Sequence, residues 1–172
     1  MLTNNFRNAM ALVLEKCTTN KGLLPVVAYN GTTYYMSPSN LSGLNNPVQT
    51  LALDLNANGI SLGTGTSAPS VADYALESQI TSGISANITQ SCGLDDLGNP
   101  YQAFDITISN SSGAAVTIAE IGYRQNLYAA TTFGGTGSNR ACLLDRTLLD
   151  DPVTIADGGI GVVRYTLKTI LP

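Results

Sequence analysis

The sequence predicts an all-β protein: an antiparallel β-sandwich or jelly roll of about eight strands with a short N-terminal α-helix. Three observations predict it. Short segments of alternating apolar and polar residues recur along the 172 residues, turn residues separate them, and no helical pattern lies between them. Because 44% of the residues are hydrophobic, one substantial core is possible. We expect an N-terminal helix or assembly arm at 1–22 and a single β-sandwich domain at 23–172.

The helix is predicted over Asn4–Cys17. Apolar residues recur there at the three- and four-residue spacing of one helix face, Asn4 or Asn5 can cap the start, and Gly22 follows the basic end. The residues of this face are Phe6, Met10, Val13, Leu14 and Cys17. Since a helix of this length is only marginally stable alone in water, the face must dock on the chain's own sheet or on a neighbouring subunit.

A β-hairpin is predicted after the helix. The segments Val26–Tyr29 and Thr32–Met36 flank Asn30-Gly31, a dipeptide favoured in type I′ turns because both central residues take positive φ. Ser, Asn, Gly and Pro then predict a loop at Ser37–Pro47. Leucines at alternate positions from Thr50 onward predict a strand with one buried face.

The remaining strands are predicted from the same alternation. They are Ile60–Leu62, Ile84–Cys92, Ala103–Asn110, Val116–Tyr123, Ala141–Arg146, Val153–Ile155 and Gly161–Thr169. Asp95–Asn99 and Asp150–Pro152 consist mainly of turn residues and are predicted as turns. Leu127–Arg140, which contains two adjacent glycines, is predicted as a long loop.

The segment Gly63–Glu77 interrupts this pattern. Pro69 lacks a backbone donor, and Gly63 and Gly65 loosen the backbone, so we expect a shaped loop there instead of a strand. Its Gly-Thr-Gly sequence suggests phosphate binding. However, the Lys-Ser/Thr ending of a P-loop and the third Gly of a dinucleotide fingerprint are absent. The sequence therefore does not predict nucleotide binding.

Composition disfavours several classes of function. The net charge is −4 and the eight basic residues are scattered, which argues against nucleic-acid binding. The chain has no His, and Cys17, Cys92 and Cys142 lack metal-ligand spacing, so we expect neither a metal nor a cofactor. Three cysteines allow one disulfide, but free thiols in a reducing cytosol are favoured. With only three Glu and no Trp, a sugar hydrolase with paired carboxylates is disfavoured. We expect a protein that is not an enzyme.

The sequence also bears on where the protein is made. Residues 1–17 carry charges around a short apolar face, which does not match a secretory signal. No stretch approaches the ~20 apolar residues of a membrane-spanning helix. We therefore expect synthesis in the cytoplasm and no membrane partner.

Three separated motifs resemble those of small bacteriophage virion structural proteins. They are G-T-G-x-x-x-P-x-x-x-D-x-x-L-E at Gly63–Glu77, I-x-E-I-G at Ile118–Gly122 and L-L-x-R-x-x-L-x-x-P-V-x-I-x-x-G at Leu143–Gly158. The resemblance extends from Ile60 onward. It implies a non-enzymatic β-sandwich component of the phage particle, made in the host cytoplasm and located in the virion.

The resemblance implies two alternative roles. The first is a capsid cement or decoration protein that binds the shell as an oligomer, expected to be a homotrimer, with the major capsid protein or other virion proteins as partners. The alternative is a tail, neck or fibre-base component that takes part in host attachment. The sequence contains no fibre-like repeats and few aromatic residues in its long loops, which favours the first role.

Two groups of residues are candidates for assembly or for shaping the loop. The candidates on the helix face are Phe6, Met10, Val13 and Leu14. The candidates in the loop and its supports are Gly63, Gly65, Pro69, Glu77, Glu120 and Arg146. We expect the two glutamates to end strands or to pair with a nearby arginine such as Arg124 or Arg146, and we hypothesise that an arginine such as Arg146 meets them and so holds the loop in place. We assign no residue a catalytic, cofactor-binding or metal-binding role.

Overall fold

Two antiparallel three-stranded sheets form the centre of the fold. The computed structural model describes residues 1–8, 10, 24–36, 52–53, 59–131 and 137–168. Its strands are β1 (Leu24–Val27), β2 (Thr33–Met36), β3 (Gly59–Gly63), β4 (Ile84–Leu94), β5 (Pro100–Asn110), β6 (Val116–Ala129), β7 (Ser138–Ile155) and β8 (Ile160–Lys168). One sheet has the order β3-β6-β7, the other has the order β4-β5-β8, and β1 and β2 pair as a hairpin. The predicted all-β fold with a short N-terminal helix is confirmed.

The main core lies between the two sheets. On β5, Phe104, Ile106 and Ile108 are fully buried at alternate positions, as a strand with one inward face requires. They belong to one cluster with Ile118 and Ile121 of β6, so side chains from both sheets meet there. Fully burying an apolar side chain of this size contributes roughly 1.5–3 kcal/mol. This layer therefore holds the sheets together and fixes the strands that carry the site described below.

The β1–β2 hairpin packs on the far ends of β6 and β7, where a second apolar cluster forms. The predicted hairpin is present, but its turn is wider than a two-residue type I′ turn. The amide of Gly31 donates to the carbonyl of Ala28 at 2.8 Å, and the amide of Ala28 donates to the carbonyl of Thr32 at 3.0 Å. With Gly31 at φ 79°, this matches a three-residue hairpin loop. The amide of Tyr29 does not bond within the hairpin but donates to the carbonyl of Ala141 in β7 at 3.0 Å.

The prediction of a long loop at Leu127–Arg140 is wrong at both of its ends. Strand β6 continues to Ala129, and β7 begins at Ser138, with Leu127 paired to Arg140. Leu127 and Ala129 are buried against the hairpin cluster. Packing against a distant part of the chain extends these strands, which local turn chemistry could not indicate. Residues 132–136 lie outside the described residues.

The turn predicted at Asp150–Pro152 is also wrong, because β7 runs through this segment to Ile155. The register between β6 and β7 shifts here, between Ile118 and Glu120 on β6. Such an irregularity accommodates Pro152, which has no amide hydrogen to donate to a neighbouring strand.

The described part of the N-terminal helix, residues 4–8 and 10, docks on the chain's own hairpin. The side-chain amide of Asn5 exchanges two hydrogen bonds of 2.7 Å with the backbone of Val27. Phe6 packs against the hairpin cluster, whereas Met10 is exposed. The helix-face residues Val13, Leu14 and Cys17 lie outside the described residues. So do the loop predicted at Ser37–Pro47, most of the strand predicted from Thr50, and the proposed domain boundary after residue 22.

Candidate functional site: a buried ionic cluster

The candidate site lies where the β3–β4 loop (residues 64–83) crosses the β3-β6-β7 sheet. Strand β3 ends at Gly63, which is paired with Glu120 of β6. A Cβ atom at Gly63 or at Gly65 would lie 2.4 or 2.5 Å from Oε1 of Glu120. Only glycine allows the loop backbone to come this close to the carboxylate. The two glycines of the motif therefore allow the loop backbone to approach the Glu120 carboxylate closely.

Glu120 is the centre of this crossing, and its side chain is fully buried. Oε1 accepts hydrogen bonds from the amides of Gly65 at 3.1 Å and Ser78 at 2.8 Å, and Oε2 accepts one from the amide of Glu77 at 3.2 Å. One carboxylate thus binds both ends of the segment 65–78. A buried carboxylate needs this many donors, because without them its loss of hydration would be strongly unfavourable.

Arg146 of β7 supplies the positive charge. Its Nε donates to Oε2 of Glu120 at 2.8 Å, and its Nη1 donates to Oδ2 of Asp73 at 2.9 Å. Its Nη2 donates to the carbonyl of Ser67 at 3.1 Å and lies 3.4 Å from Oε2 of Glu77. Burial alone would lower the pKa of Arg146, but the hydrogen bonds and charges of Asp73 and Glu120 raise it above its ordinary value. Arg146 therefore remains charged in the fold.

The hypothesis that Glu77 and Glu120 meet Arg146 agrees with these distances, although the two glutamates differ in environment. Glu77 is partly exposed, and its carboxylate accepts hydrogen bonds from the hydroxyl of Ser67 at 2.6 Å and from the amide of Ser67 at 2.7 Å. These two bonds lower the pKa of Glu77, with a smaller contribution from Arg146. Glu77 thus joins two parts of the same loop, whereas Glu120 fixes the loop to the sheet. We call Asp73, Glu77, Glu120 and Arg146 the ionic cluster.

Arg124, the second arginine considered as a partner of the glutamates, is also buried, which sequence analysis did not predict. Arg124 of β6 is fully buried, its Nη2 donates to the carbonyl of Ala52 at 3.0 Å, and its guanidinium lies 4.3 Å from the ring centre of Tyr29. The hydroxyl of Tyr29 contacts Gln79 and accepts a hydrogen bond from the amide of Leu76 at 3.3 Å. Burial raises the pKa of Tyr29. No local pattern identifies Arg124, since an arginine on an alternating strand gives no sign of being buried.

The other candidate residues lie apart from the ionic cluster or at its edge. Pro69 is half-buried in the β3–β4 loop between Ser67 and Asp73. Phe6 and Met10 belong to the N-terminal helix and do not contribute to the ionic cluster. The structure therefore brings together the loop and support candidates and keeps Phe6 and Met10, the described helix candidates, apart from them.

The chain matches no protein-family model, no curated protein and no solved structure. Over the residues that the structure describes, no helix is long and apolar enough to cross a membrane. In the same part of the chain, no group of three or more Cys, Asp or Glu side chains is arranged to hold a metal ion. The carboxylates of the ionic cluster bind backbone amides and Arg146, an arrangement that fixes the course of the chain.

Proposed function

We propose that the protein is a non-enzymatic structural component of a bacteriophage particle, most specifically a capsid cement or decoration protein that binds the shell as a homo-oligomer. One observation carries the proposal. The three motifs that resemble phage virion proteins, at Gly63–Glu77, Ile118–Gly122 and Leu143–Gly158, converge in the ionic cluster. The three motifs therefore supply the charged residues that fix the β3–β4 loop to the sheet, which supports a structural role.

The ionic cluster suits a cement protein because it makes the loop surface rigid. The β3–β4 loop is bound to β6 and β7 through Glu120 and Arg146, yet it exposes Thr66, Ala68 and Tyr74. A surface that is already ordered loses less conformational entropy when a partner binds it. Such a protein strengthens a shell by adding buried interface between neighbouring capsid subunits.

The outer face of the β4-β5-β8 sheet supports the same role. Its exposed positions on β4 and β5 carry small polar residues. These residues are Ser85, Asn87, Thr89, Thr107 and Ser109. The same face also carries the exposed Val162 and an exposed ion pair between Asp105 and Arg164. A partner that covers mainly its hydroxyl and amide groups avoids the larger desolvation penalty of burying many charges, so this face is suited to a broad contact of mixed polar and apolar character.

The proposal is tested by the copy number of the protein relative to the major capsid protein in purified particles. A cement protein is present in hundreds of copies, in a fixed ratio to the capsid subunits. A few to a few dozen copies per particle would refute the cement role and favour the alternative, a tail, neck or fibre-base component. Particles lacking the protein provide the matched control, and they are expected to lose their DNA at a lower temperature.

A further inference from the structure

The two three-stranded sheets have four edge strands, and the chain itself covers two of them, β3 and β7. On β3, the carbonyl of Ile60 accepts a hydrogen bond from the amide of Ala52 at 2.8 Å. On β7, the carbonyl of Leu144 accepts one from the amide of Thr3 at 2.9 Å. Cover of this kind prevents an edge from pairing with another chain.

The edges of the other sheet, β8 and β4, differ in charge. Strand β8 carries the exposed Arg164 and Lys168, and charged side chains on an edge discourage pairing with another strand. Strand β4 spans 11 residues, Ile84–Leu94, without a charged residue or a proline. Its register with β5 is continuous over its whole length, so no bulge interrupts it. In the described part of the chain, β4 is the edge that has none of these protections.

The unpaired side of β4 presents a regular row of backbone groups. At one end the carbonyl of Gly83 accepts from the amide of Ser111 at 2.8 Å, and at the other the amide of Asp95 donates to the carbonyl of Asn99 at 3.0 Å. Because hydrogen-bond direction alternates along an antiparallel strand, the odd-numbered residues between these ends face β5 and the even-numbered ones face away. The outward-facing residues are Ile84, Ala86, Ile88, Gln90, Cys92 and Leu94. Over the described residues, no backbone group of another segment bonds to them.

The β4–β5 turn (residues 95–99) fixes one end of this row. Oδ1 of Asp95 accepts hydrogen bonds from the amides of Leu97 at 2.9 Å and Asn99 at 2.8 Å. Lys168 of β8 forms an ion pair with the same carboxylate. Because the edge is already ordered, a strand that pairs with it causes little further loss of conformational entropy in this protein.

The chemistry of the edge defines what pairs with it. Only an extended backbone repeats its donors and acceptors every two residues, about 6.8 Å, as the row does. The neighbouring exposed side chains are all uncharged, and they are Ser85, Asn87, Thr89, Ser91, Cys92 and Leu94. The buried Oε1 of Gln90 has no hydrogen-bond partner and accepts a further donor. A charged residue in the added strand would lose hydration without meeting an opposite charge on β4. The segment that fits is therefore extended and uncharged.

We propose that β4 is a strand-addition site that receives an extended, uncharged segment of the capsid subunit. The inference rests on the proposed function and names the surface and the kind of segment that meet. The added strand continues the β4-β5-β8 sheet and so enlarges its outer face, which suits a broad contact with the shell. Because the strand comes from another protein, the contact places no demand on the symmetry of the oligomer.

The site is tested by binding of the purified chain to particles that lack it, with the variant Cys92→Pro and the matched control Cys92→Ala. Cys92 is exposed, and both variants remove its thiol. Only proline removes the outward-facing amide, and neither variant removes a bond to β5. We expect Cys92→Ala to bind like the wild type and Cys92→Pro to bind at least about tenfold more weakly, as loss of a buried backbone hydrogen bond implies. Equal binding of the two variants, with unchanged thermal unfolding, overturns the inference.

Hydrogen exchange of the wild type tests the same contact without a substitution. When the protein binds the particles, we expect the outward-facing amides of β4, such as those of Ile88 and Gln90, to exchange at least about tenfold more slowly. Unchanged exchange along β4 in the bound protein overturns the inference.

The binding experiment also separates this inference from the cement role. The number of copies bound at saturation tests the cement role, and the affinity ratio of the two Cys92 variants tests the edge. Hundreds of bound copies with equal affinities refute the edge contact alone. A wild type that binds in only a few dozen copies, or not at all, overturns the cement role and with it the capsid subunit as the partner. If Cys92→Pro loses self-association in solution but binds particles like Cys92→Ala, the edge pairs with a second copy and the inference is overturned.

Discussion

The β3–β4 loop and the β4–β5 turn are held by the same chemistry in opposite environments. In each, one carboxylate accepts hydrogen bonds from backbone amides and pairs with a cation: Glu120 with Arg146, and Asp95 with Lys168. Glu120 is fully buried and comes from a distant strand, whereas Asp95 lies near solvent within the turn that it holds. We therefore expect burial, more than the number of hydrogen bonds, to decide how strongly each carboxylate affects stability.

The largest effect is expected from Arg146→Met, which leaves Glu120 buried without its cation. We expect the free energy of unfolding to fall by about 3–5 kcal/mol, as when one partner of a buried ion pair is removed. Urea unfolding at pH 7 measures this loss. The double variant Glu120→Gln/Arg146→Met is the control, and it should recover part of the stability because no unpaired charge remains. A single variant as stable as the wild type would contradict the buried pairing.

The next largest effect is expected from Gly65→Ala. The new methyl group would lie 2.5 Å from Oε1 of Glu120 and 2.6 Å from Cβ of Glu77, so the loop must move away from the sheet. We expect a loss of about 1–3 kcal/mol, typical of overpacking. In Gly93→Ala, the matched control on β4, the methyl group meets only the flexible Tyr101 side chain at 3.3 Å. Equal stability of the two variants in urea would mean that the close approach is unimportant.

A smaller, pH-dependent effect is expected at Glu77, whose pKa is lowered by its hydrogen bonds to Ser67. Since the folded pKa lies below the unfolded one, this group contributes stability above about pH 4.3, the ordinary value for Glu. The contribution is lost as the pH falls through the lowered folded pKa. We therefore expect Glu77→Gln to be less stable than wild type at pH 7, with the difference shrinking on acidification. Thermal unfolding from pH 7 to pH 3 measures it. A difference independent of pH would refute this role.

The smallest effect is expected from Asp95→Ala. Lys168 and the amide of Asn99 lower the pKa of Asp95, yet the group lies close to solvent, which screens the ion pair. We expect the unfolding midpoint at pH 7 to drop less than in any variant of the ionic cluster. The change should be local, with faster amide exchange at Leu97 and Asn99 and no change on β6. Global destabilisation as large as that of Arg146→Met would invalidate the comparison between the two regions.

The two regions also differ in how far sequence predicts them. The turn at Asp95–Asn99 was predicted because Asp and Asn hydrogen-bond to backbone within a few residues and Gly allows the turn's backbone angles. The strands on either side were predicted because period-two alternation is also local. The convergence of Glu120, Glu77 and Arg146 was only hypothesised, on a motif resemblance, and burial of Arg124 was not foreseen. Such contacts join residues far apart in the chain, so they depend on strand order, which alternation does not determine. For the same reason, the strand ends at Leu127 and Ser138 were misassigned as loop.

The central claim is that Glu120 fixes the β3–β4 loop to the sheet. Native-state amide exchange at Gly65, Glu77 and Ser78 tests it most directly. These three amides donate to Glu120. If the loop opens only when the sheet does, they exchange as slowly as the amide of Ile121 in β6. That result is predicted. Exchange as fast as that of Asp96 in the exposed turn, with Ile121 still protected, would contradict it.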